Sequence, residues 1–260
     1  MLKINNKDIT GVFIGSNSIH RIYLGQDVVW EKYTFPTNGL QHYWNFDETS
    51  GITAYNSISN NNITFNYPNA LNNFGKNNTG AFSFSFNLIY GDSTPLPQNF
   101  SSPYNISFWF YVDPSSNLGV SRLISIGTPT QSKYYGINVY LNKNGFFINF
   151  GSGTSEGSSG RRSYSLNNAF VKGMWHHVSL NVVSLYDITL FINGVNTNIS
   201  YDSGSASNVN YGNKIFSLFR NGTYTETDNV YIDEVGIWNR TLTLEEVQAL
   251  YNYGNGNFYK

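Results

Sequence analysis

Hydrophobic and polar residues alternate along much of the chain, which is the pattern of half-buried β-strands. In residues 81–86, Phe82, Phe84 and Phe86 fall on one face and serines and an alanine occupy the positions between them. Aromatic and β-branched residues, which favour strands, carry most of these patterns. Further strands are predicted over residues 106–112, 121–126, 134–141, 145–150, 173–182, 188–192, 215–219 and 230–238.

Turn residues separate these strands. Asn193 and Gly194 predict a two-residue hairpin turn, because both residue types tolerate positive φ. Residues 188–192 and 195–201 should therefore pair. A second turn is predicted over residues 142–145, and residues 151–160 are predicted to form a Gly/Ser loop.

The C-terminal pattern changes to that of one short helix over residues 241–251. Thr243 and Glu246 have the spacing of a capping box, and Gly254 is expected to end the helix. So short a helix is marginal alone in water, so it must pack on the rest of the fold. Leu242 and Val247 are expected to contact each other as a hydrophobic staple at the start of the helix. Leu244, Val247 and Leu250 recur on one face, which is expected to pack on the sheet.

The N-terminal residues 9–30 contain an internal repeat with a period of ten. Each copy predicts a short strand ended by a glycine turn, and Trp30 closes the second copy. Two or three short strands cannot bury a core of their own, so residues 1–34 are expected to dock, either on the following domain or on another chain. Residues 31–38 are interpreted as a linker, and the main domain as residues 38–260.

Composition narrows the classes of partner. Charged residues make up 12% of the chain and its formal net charge is −1, so a nucleic-acid partner is not expected. No apolar run approaches the roughly 20 residues of a membrane helix, so we expect no membrane insertion. The chain has no cysteine, which excludes disulfides and zinc–thiolate sites. The first residues lack the apolar segment of a signal peptide, so either export does not occur by that route, which the initiating Met favours, or a signal was removed before residue 1.

Several ordered motifs together resemble the LamG-like, concanavalin A-like jelly-roll domains, over about residues 38 to 253. The motifs are YWNFDETSGITAYNS at residues 43–57, the strands at 81–86 and 106–112, WHHV at 175–178 and the FING hairpin at 191–194. The resemblance implies an all-β, antiparallel jelly-roll β-sandwich with a short C-terminal helix, preceded by the small N-terminal β-repeat. Separately, YLGQDVVW at residues 23–30 resembles the N-terminal segments of phage tail and head-decoration proteins.

The resemblance also implies a calcium site. Related domains often use an aspartate at the start of the closing strand, which here is Asp233, with Asp47 as its partner. Carboxylate and carbonyl oxygens are the ligands that Ca²⁺ requires. In the alternative interpretation, Asp233 and Glu234 accept hydrogen bonds from backbone donors where the strand bends, and Ca²⁺ is not bound.

Sugar binding would require exposed aromatic rings beside polar groups. Most tyrosines of a sheet pack across strands, so no single residue is assigned as a carbohydrate site. The candidates, taken as a set, are Tyr90, Tyr104, Tyr134, Tyr135, Tyr164, Tyr186 and Tyr224. The pair Arg161 and Arg162 is interpreted as part of the Gly/Ser loop and as solvated.

Catalytic patterns are missing. His176 and His177 are neighbours in a strand, so they point to opposite faces and do not chelate one ion; one is expected inside and the other in solvent. Family-16 glycoside hydrolases share this fold, but their Glu-x-Asp-x-x-Glu strand is absent; the nearest approach is at residues 226–228. No nucleophile elbow, zinc-protease helix or phosphate loop occurs.

These observations lead to three hypotheses about function. The first is a non-enzymatic phage virion structural protein, a tail, fibre or capsid-decoration component assembled in the host cytoplasm. Its residues 1–34 would bind other virion proteins or a second copy, and its jelly roll would adhere to host-surface polysaccharide. The second is a bacterial carbohydrate-binding module at the cell surface or outside the cell. The third, a glycoside hydrolase, is disfavoured by the missing acidic motif.

Overall fold

The computed structural model describes residues 33–67, 70–72, 74–77, 81–84, 89–128, 133–143, 145–220 and 229–260, and short strands within residues 1–32. For those strands, and for residues 72 and 81–84, only the backbone is described. Strands are numbered in chain order. The first six, which pair as three separate two-stranded sheets, are β1 (Lys3–Ile4), β2 (Lys7–Asp8), β3 (Val12–Ile14), β4 (Asn17–Ile19), β5 (Arg21–Leu24) and β6 (Asp27–Glu31).

Two larger antiparallel sheets form the sandwich. The eight-stranded sheet has the order β10 (Leu71–Asn72), β11 (Ala81–Phe84), β23 (Val230–Trp238), β13 (Tyr104–Val112), β18 (Trp175–Val182), β19 (Ile188–Ile192) and β20 (Val195–Thr197), with β7 (Leu40–Trp44) also paired to β23. The nine-stranded sheet has the order β21 (Ser200–Ser203), β17 (Arg161–Asn167), β16 (Gly145–Ser152), β15 (Tyr135–Asn142), β14 (Val120–Gly127), β22 (Ile215–Leu218), β12 (Gly91–Pro95), β9 (Ile63–Phe65) and β8 (Thr53–Ala54). The predicted jelly-roll sandwich is confirmed.

The core lies between the two sheets. In β13, Phe108, Phe110 and Val112 are fully buried in it, whereas Trp109 and Tyr111 lie on the outer face of the eight-stranded sheet. This alternation is the one predicted from the sequence. The predicted stripe of Phe82, Phe84 and Phe86 lies outside the side chains that the structure describes.

The Asn193–Gly194 hairpin is confirmed. The φ angles are 52° and 76°, the positive values that a two-residue turn between twisted strands requires. The predicted second strand over residues 195–201 is wrong in extent. The strand that pairs with β19 ends at Thr197. The chain then crosses to the other sheet, where Ser200–Ser203 pairs with β17.

The C-terminal helix α1 spans Leu244–Tyr251 and begins with the predicted capping box of Thr243 and Glu246. Val247 and Leu250 are buried, but Leu244 is exposed, so the predicted packing face is only partly correct. The helix ends at Asn252, which takes the left-handed conformation with φ 45°, and Gly254 lies beyond this end.

Helix α1 packs on the outer face of the eight-stranded sheet. Val247, Leu250 and the predicted staple residue Leu242 form a second apolar cluster with Tyr43 and Trp238. The side chain of Asn181 in β18 accepts from the Leu242 N–H and donates to the Leu242 carbonyl, both at 2.8 Å. These two hydrogen bonds satisfy backbone groups just before the helix.

The segment interpreted as a linker is partly packed. Pro36 is buried, and its carbonyl accepts a hydrogen bond of 2.7 Å from the indole N–H of Trp238. The ring of Phe35 packs against Tyr43 and Tyr259. Residues 35 and 36 therefore belong to the sandwich in structure. The division into residues 1–34 and 38–260 stays a prediction.

The predicted Gly/Ser loop is also shorter than expected. Gly151 and Ser152 end β16, Ser158–Gly160 form a turn of 3-10 helix, and β17 begins at Arg161. The interpretation of Arg161 and Arg162 as loop residues is therefore wrong. Of the helices that the structure describes, none has the length and apolar character to cross a membrane.

Candidate functional site

The acidic pair Asp233–Glu234 lies in the interior of the eight-stranded sheet. Its strand, β23, is flanked by β13 on one side and by β11 and β7 on the other, so the pair does not lie at an edge of the sheet. Asp233 has no exposed surface. Its two carboxylate oxygens accept backbone N–H bonds from Lys76 at 2.7 Å and from Glu234 at 2.9 Å.

A β-bulge turns Glu234 to the same side as Asp233. Trp109 is opposite Asp233, and Ser107 is opposite Gly236. The single residue between Ser107 and Trp109 in β13 therefore faces two residues of β23, Glu234 and Val235. Glu234 occupies the left-handed region with φ 54°, a conformation that costs a non-glycine residue roughly 1–2 kcal/mol. The hydroxyl of Tyr43 donates a hydrogen bond to Oε2 of Glu234.

The sequence carries a signal for this bulge. Core residues of β23 recur at Val230 and Ile232, and then at Val235 and Ile237. The apolar alternation therefore skips one position at Glu234, which would otherwise face the core. A break of this kind in a strict period of two indicates an extra residue in the strand.

Burial of the pair disfavours its charged forms. Burial, followed by the charge of Glu234, raises the pKa of Asp233 well above its usual range. Burial also raises the pKa of Glu234, to about 8, although the Tyr43 hydrogen bond acts in the opposite direction. At neutral pH the pair therefore holds a proton in the folded protein.

Asp47, the second residue of the predicted calcium site, is exposed at the end of the first sandwich strand. Its charge raises the pKa values of both buried acids, and its Oδ2 accepts a hydrogen bond of 2.7 Å from Asn45. Ca²⁺ needs about six to eight oxygen ligands. Within the described ranges, no group of three or more acidic, histidine or cysteine side chains is arranged to hold a metal ion. Calcium binding at Asp233 and Asp47 stays a prediction.

The two histidines point to opposite faces, as expected, but both are buried. His176 stacks on Phe110 on the core side. His177 lies on the outer face, where its Nε2 is 2.8 Å from the Ser107 hydroxyl and its ring stacks on Tyr251 of helix α1. The expectation of one solvent-facing histidine is wrong, because helix α1 covers the outer face.

The candidate tyrosines separate into different environments. Tyr104 is fully buried and accepts a hydrogen bond from Tyr211, which removes it as a sugar platform. Tyr90 lies under Arg220, and Tyr134 under Arg161. Tyr224 and the residues 226–228 lie outside the described residues. Tyr135 is half-buried on the nine-stranded sheet.

Two candidates, Tyr164 and Tyr186, come together with two residues that the sequence did not single out as binding residues. We call this set, Arg162, Tyr164, Tyr186 and Tyr201, the tyrosine–arginine cluster. The guanidinium carbon of Arg162 lies 4.6 Å from the ring centroid of Tyr186, 4.5 Å from that of Tyr201 and 5.6 Å from that of Tyr164. These distances are those of cation–π contacts.

Elements of both sheets position the tyrosine–arginine cluster. Arg162 and Tyr164 alternate along β17, opposite the core residues Phe150 and Ile148, so both lie on the core-facing side of the nine-stranded sheet. Tyr201 in β21 is the cross-strand partner of Tyr164. Tyr186 comes from the turn between β18 and β19, which belong to the other sheet.

Hydrogen bonds hold this arrangement in place. Nε of Arg162 donates to the Tyr164 hydroxyl at 2.8 Å, and that hydroxyl donates to the Leu185 carbonyl at 2.6 Å. The Tyr164 hydrogen bond raises the pKa of Arg162, so its charge is secure. Ser184 then accepts from the N–H groups of Tyr186 and Asp187, which closes the turn.

The outer parts of the cluster remain accessible. Tyr186 is 59% exposed and Tyr201 is 53% exposed, whereas Tyr164 is buried beneath them. Exposed rings fixed beside hydrogen-bond donors can stack on the apolar face of a sugar and bind its hydroxyls. Tyr201 was missed because only the register of β17 against β21 brings it to Tyr164.

The fold and the cluster define a class: an antiparallel two-sheet sandwich with an exposed aromatic and cationic cluster where the two sheets meet. The family whose profile matches residues 90–248, more than half of the 260 residues, is Laminin G 3, described as the concanavalin A-like lectin/glucanases superfamily. The chain belongs to this superfamily. A comparison with curated protein sequences finds no significant match.

Solved structures agree on the fold. The botulinum neurotoxin serotype D binding domain has a TM-score of 0.62 at 11% identity, over 82% of this chain and 51% of that chain. The binding domain of Paraclostridial Mosquitocidal Protein 1 gives 0.61 at 18% identity, over 82% and 52%. Trypanosoma rangeli sialidase in complex with sialic acid gives 0.61 at 13% identity, over 90% and 35%.

The shared part of these proteins is limited. The chain spans about half the length of the toxin binding domains and about a third of the sialidase. At 18% identity or less, the likeness establishes the fold alone. The ligands of these proteins are properties of those proteins and are not shown for this chain.

Proposed function

We propose that this chain is a non-catalytic, glycan-binding β-sandwich module that mediates adhesion. The observation that carries the proposal is the tyrosine–arginine cluster, in which two exposed tyrosine rings contact a charged donor, the guanidinium of Arg162. Rigid aromatic side chains with adjacent donors are the usual components of sugar sites. Two similar structures support the proposal: the botulinum neurotoxin serotype D ligand binding domain is in complex with N-acetylneuraminic acid, and the Trypanosoma rangeli sialidase is in complex with sialic acid.

The acidic residues support a role without catalysis. A retaining glycosidase needs two carboxyl groups about 5 Å apart that flank a bound glycosidic bond. Asp233 and Glu234 are buried beneath other residues, so a sugar cannot reach them. The Glu-x-Asp-x-x-Glu strand of the family-16 hydrolases is also absent from the sequence.

Replacing Tyr186 or Tyr201 with alanine should weaken glycan binding by at least about fivefold, since an exposed aromatic anchor contributes more than about 1 kcal/mol. A glycan array identifies the best ligand, and calorimetry with that ligand measures the loss. Tyr55→Ala is the matched control, because Tyr55 is 61% exposed but lies on another part of the surface.

The control decides what a loss of binding means. If Tyr186→Ala, Tyr201→Ala and Tyr55→Ala all lose the same amount of glycan affinity, the site does not lie at the tyrosine–arginine cluster. If no glycan on the array binds the wild-type protein, the proposed function is wrong. Release of shorter sugars from β-glucans would instead indicate a hydrolase.

The finer part of the proposal concerns the biological setting. We propose that residues 1–34 attach the sandwich to other virion proteins or to a second copy, in a phage tail, fibre or capsid decoration. What supports this is the sequence resemblance of residues 23–30, together with three two-stranded sheets that are each too small to be stable alone. The alternative setting is a bacterial surface or secreted carbohydrate-binding module.

Deleting residues 1–34 should leave the thermal unfolding of the sandwich nearly unchanged, because Phe35 and Pro36, which pack against it, are retained. The same deletion should abolish incorporation into particles or self-association, measured by particle co-purification and by light scattering. A shortened protein that still enters particles and keeps its oligomeric state would refute the anchoring role. Detection on bacterial cells and never in particles would favour the alternative setting.

A further inference from the structure

We propose that the tyrosine–arginine cluster selects acidic glycans, with the guanidinium of Arg162 binding a sugar carboxylate. This inference rests on the proposed function and adds the chemical class of the ligand. Arg162 is the one member of the cluster that carries a charge at neutral pH.

The first argument is the hydrogen-bonding state of Arg162. A guanidinium has five N–H donors, and the structure commits one of them, on Nε, to Tyr164. The four donors on the two terminal nitrogens have no protein acceptor among the described residues. By contrast, Arg240 places both terminal nitrogens on the carboxylate of Glu246.

The second argument is the absence of an internal counter-ion. Asp187 and Asp202 directly follow Tyr186 and Tyr201, yet within the part of the chain that the structure describes neither forms an ion pair with Arg162. Asp202 instead accepts a hydrogen bond from Ser203. The charge of Arg162 is therefore available to an anion from outside.

The third argument is geometry. The rings of Tyr186 and Tyr201 cover the guanidinium, and Tyr164 fixes its orientation from below. The edge that carries the paired N–H groups has no protein acceptor among the described residues. This planar edge matches the two oxygens of a carboxylate, which it binds by two parallel hydrogen bonds. The exposed tyrosine rings can contact the sugar ring that bears the carboxylate.

The test compares sugars that differ only in charge. An array is printed with neutral glycans, with uronic-acid and sialic-acid glycans, and with the methyl esters of these acids. Calorimetry on the full chain then measures the best acidic ligand against its methyl ester. The wild-type protein should prefer the acid by about 10- to 100-fold, the range expected for hydrogen bonds to a charged group, and salt should reduce this preference.

The variants assign the effect to one side chain. Arg162→Met should abolish the preference for the acid, and Arg162→Lys should retain only part of it, since lysine keeps the charge but lacks the planar fork. Arg161→Met is the matched control. Arg161 is the adjacent arginine, points to the other face of β17 and contacts Tyr134, so its replacement should change nothing.

Each outcome decides the matter. If acids and esters bind equally, or if Arg162→Met keeps the preference, the inference is wrong while glycan binding stands. If only neutral glycans bind, the inference of acidic selectivity is again wrong and glycan binding stands. If no glycan binds, the proposed function fails first and the inference fails with it. Should Arg162→Met not fold, Arg162→Lys and Tyr164→Phe, which removes the orienting hydroxyl, decide in its place.

Discussion

Replacing Trp238 with alanine should lower the free energy of unfolding by about 3–5 kcal/mol, the usual cost of truncating a large buried aromatic side chain. Trp238 is fully buried, at the end of the closing strand β23. It joins the C-terminal helix to the sheet, because its neighbours in the second apolar cluster include Leu242, Val247 and Leu250 of the helical segment. Its indole N–H also satisfies the buried carbonyl of Pro36.

Urea unfolding followed by fluorescence and by far-ultraviolet circular dichroism measures this change. Tyr67→Ala is the control, since Tyr67 is 49% exposed and its removal should cost less than about 0.5 kcal/mol. A loss of under about 1 kcal/mol for Trp238→Ala would mean that the helix and the segment around Pro36 contribute little to the fold.

Local signals predicted the local features of this structure. The capping box of Thr243 and Glu246 lies within one turn of helix, and the Asn193–Gly194 turn needs only its own two residues. Both were confirmed because the responsible contacts are close in sequence. The helix end at Asn252 was missed, since asparagine also tolerates the left-handed conformation and precedes the glycine that the sequence suggested.

Features that depend on distant residues could not be predicted in the same way. The burial of His177 requires helix α1, which lies some seventy residues further along the chain. Arg162 was interpreted as solvated because its neighbours in sequence are glycines and serines. Its aromatic contacts come from Tyr186 and Tyr201, which reach it through a turn of the other sheet and an edge strand. A sequence pattern contains no information on that register.

The same reasoning explains why the tyrosines could not be ranked. Tyr104 and Tyr186 look equivalent in sequence, since both stand at the end of an apolar run. In the structure, one lies fully buried with a hydrogen bond to Tyr211, and the other is mostly exposed. Both lie near the same end of the eight-stranded sheet, so the contacts around each ring decide whether it is buried or exposed.

The acidic pair Asp233–Glu234 leads to the second large expected effect, on the pH dependence of stability. Glu234 has a pKa near 4.5 when unfolded and about 8 in the fold, where burial is the main cause of the increase. Between these values the unfolded chain has released the proton that the folded protein retains. Stability should therefore be highest at or below pH 4.5 as far as this group is concerned, and should fall until about pH 8.

Glu234→Gln should remove this loss. Glutamine keeps a carbonyl oxygen for the Tyr43 hydroxyl and has no proton to release. Each unit of pKa increase corresponds to about 1.4 kcal/mol, so the variant should exceed the wild-type protein by several kcal/mol above pH 8 and match it near pH 4.5. Urea unfolding in EDTA across this pH range measures the difference. Glu156→Gln, at an exposed carboxylate, is the control and should leave the pH profile unchanged.

Calcium gives this experiment a second outcome. A cation bound at Asp233 and Asp47, as the family resemblance implies, would favour the ionised carboxylates and stabilise the wild-type protein above pH 8, by an amount that rises with calcium concentration. Asp47→Asn would then lose the calcium effect. In EDTA its stability should fall less with pH than that of the wild-type protein, because the charge of Asp47 contributes to the raised pKa of Glu234. Identical curves with calcium and with EDTA would leave the hydrogen bonds from Lys76 and Glu234 as the role of Asp233. A wild-type stability that does not fall between pH 4.5 and 8 would contradict the raised pKa of Glu234 itself.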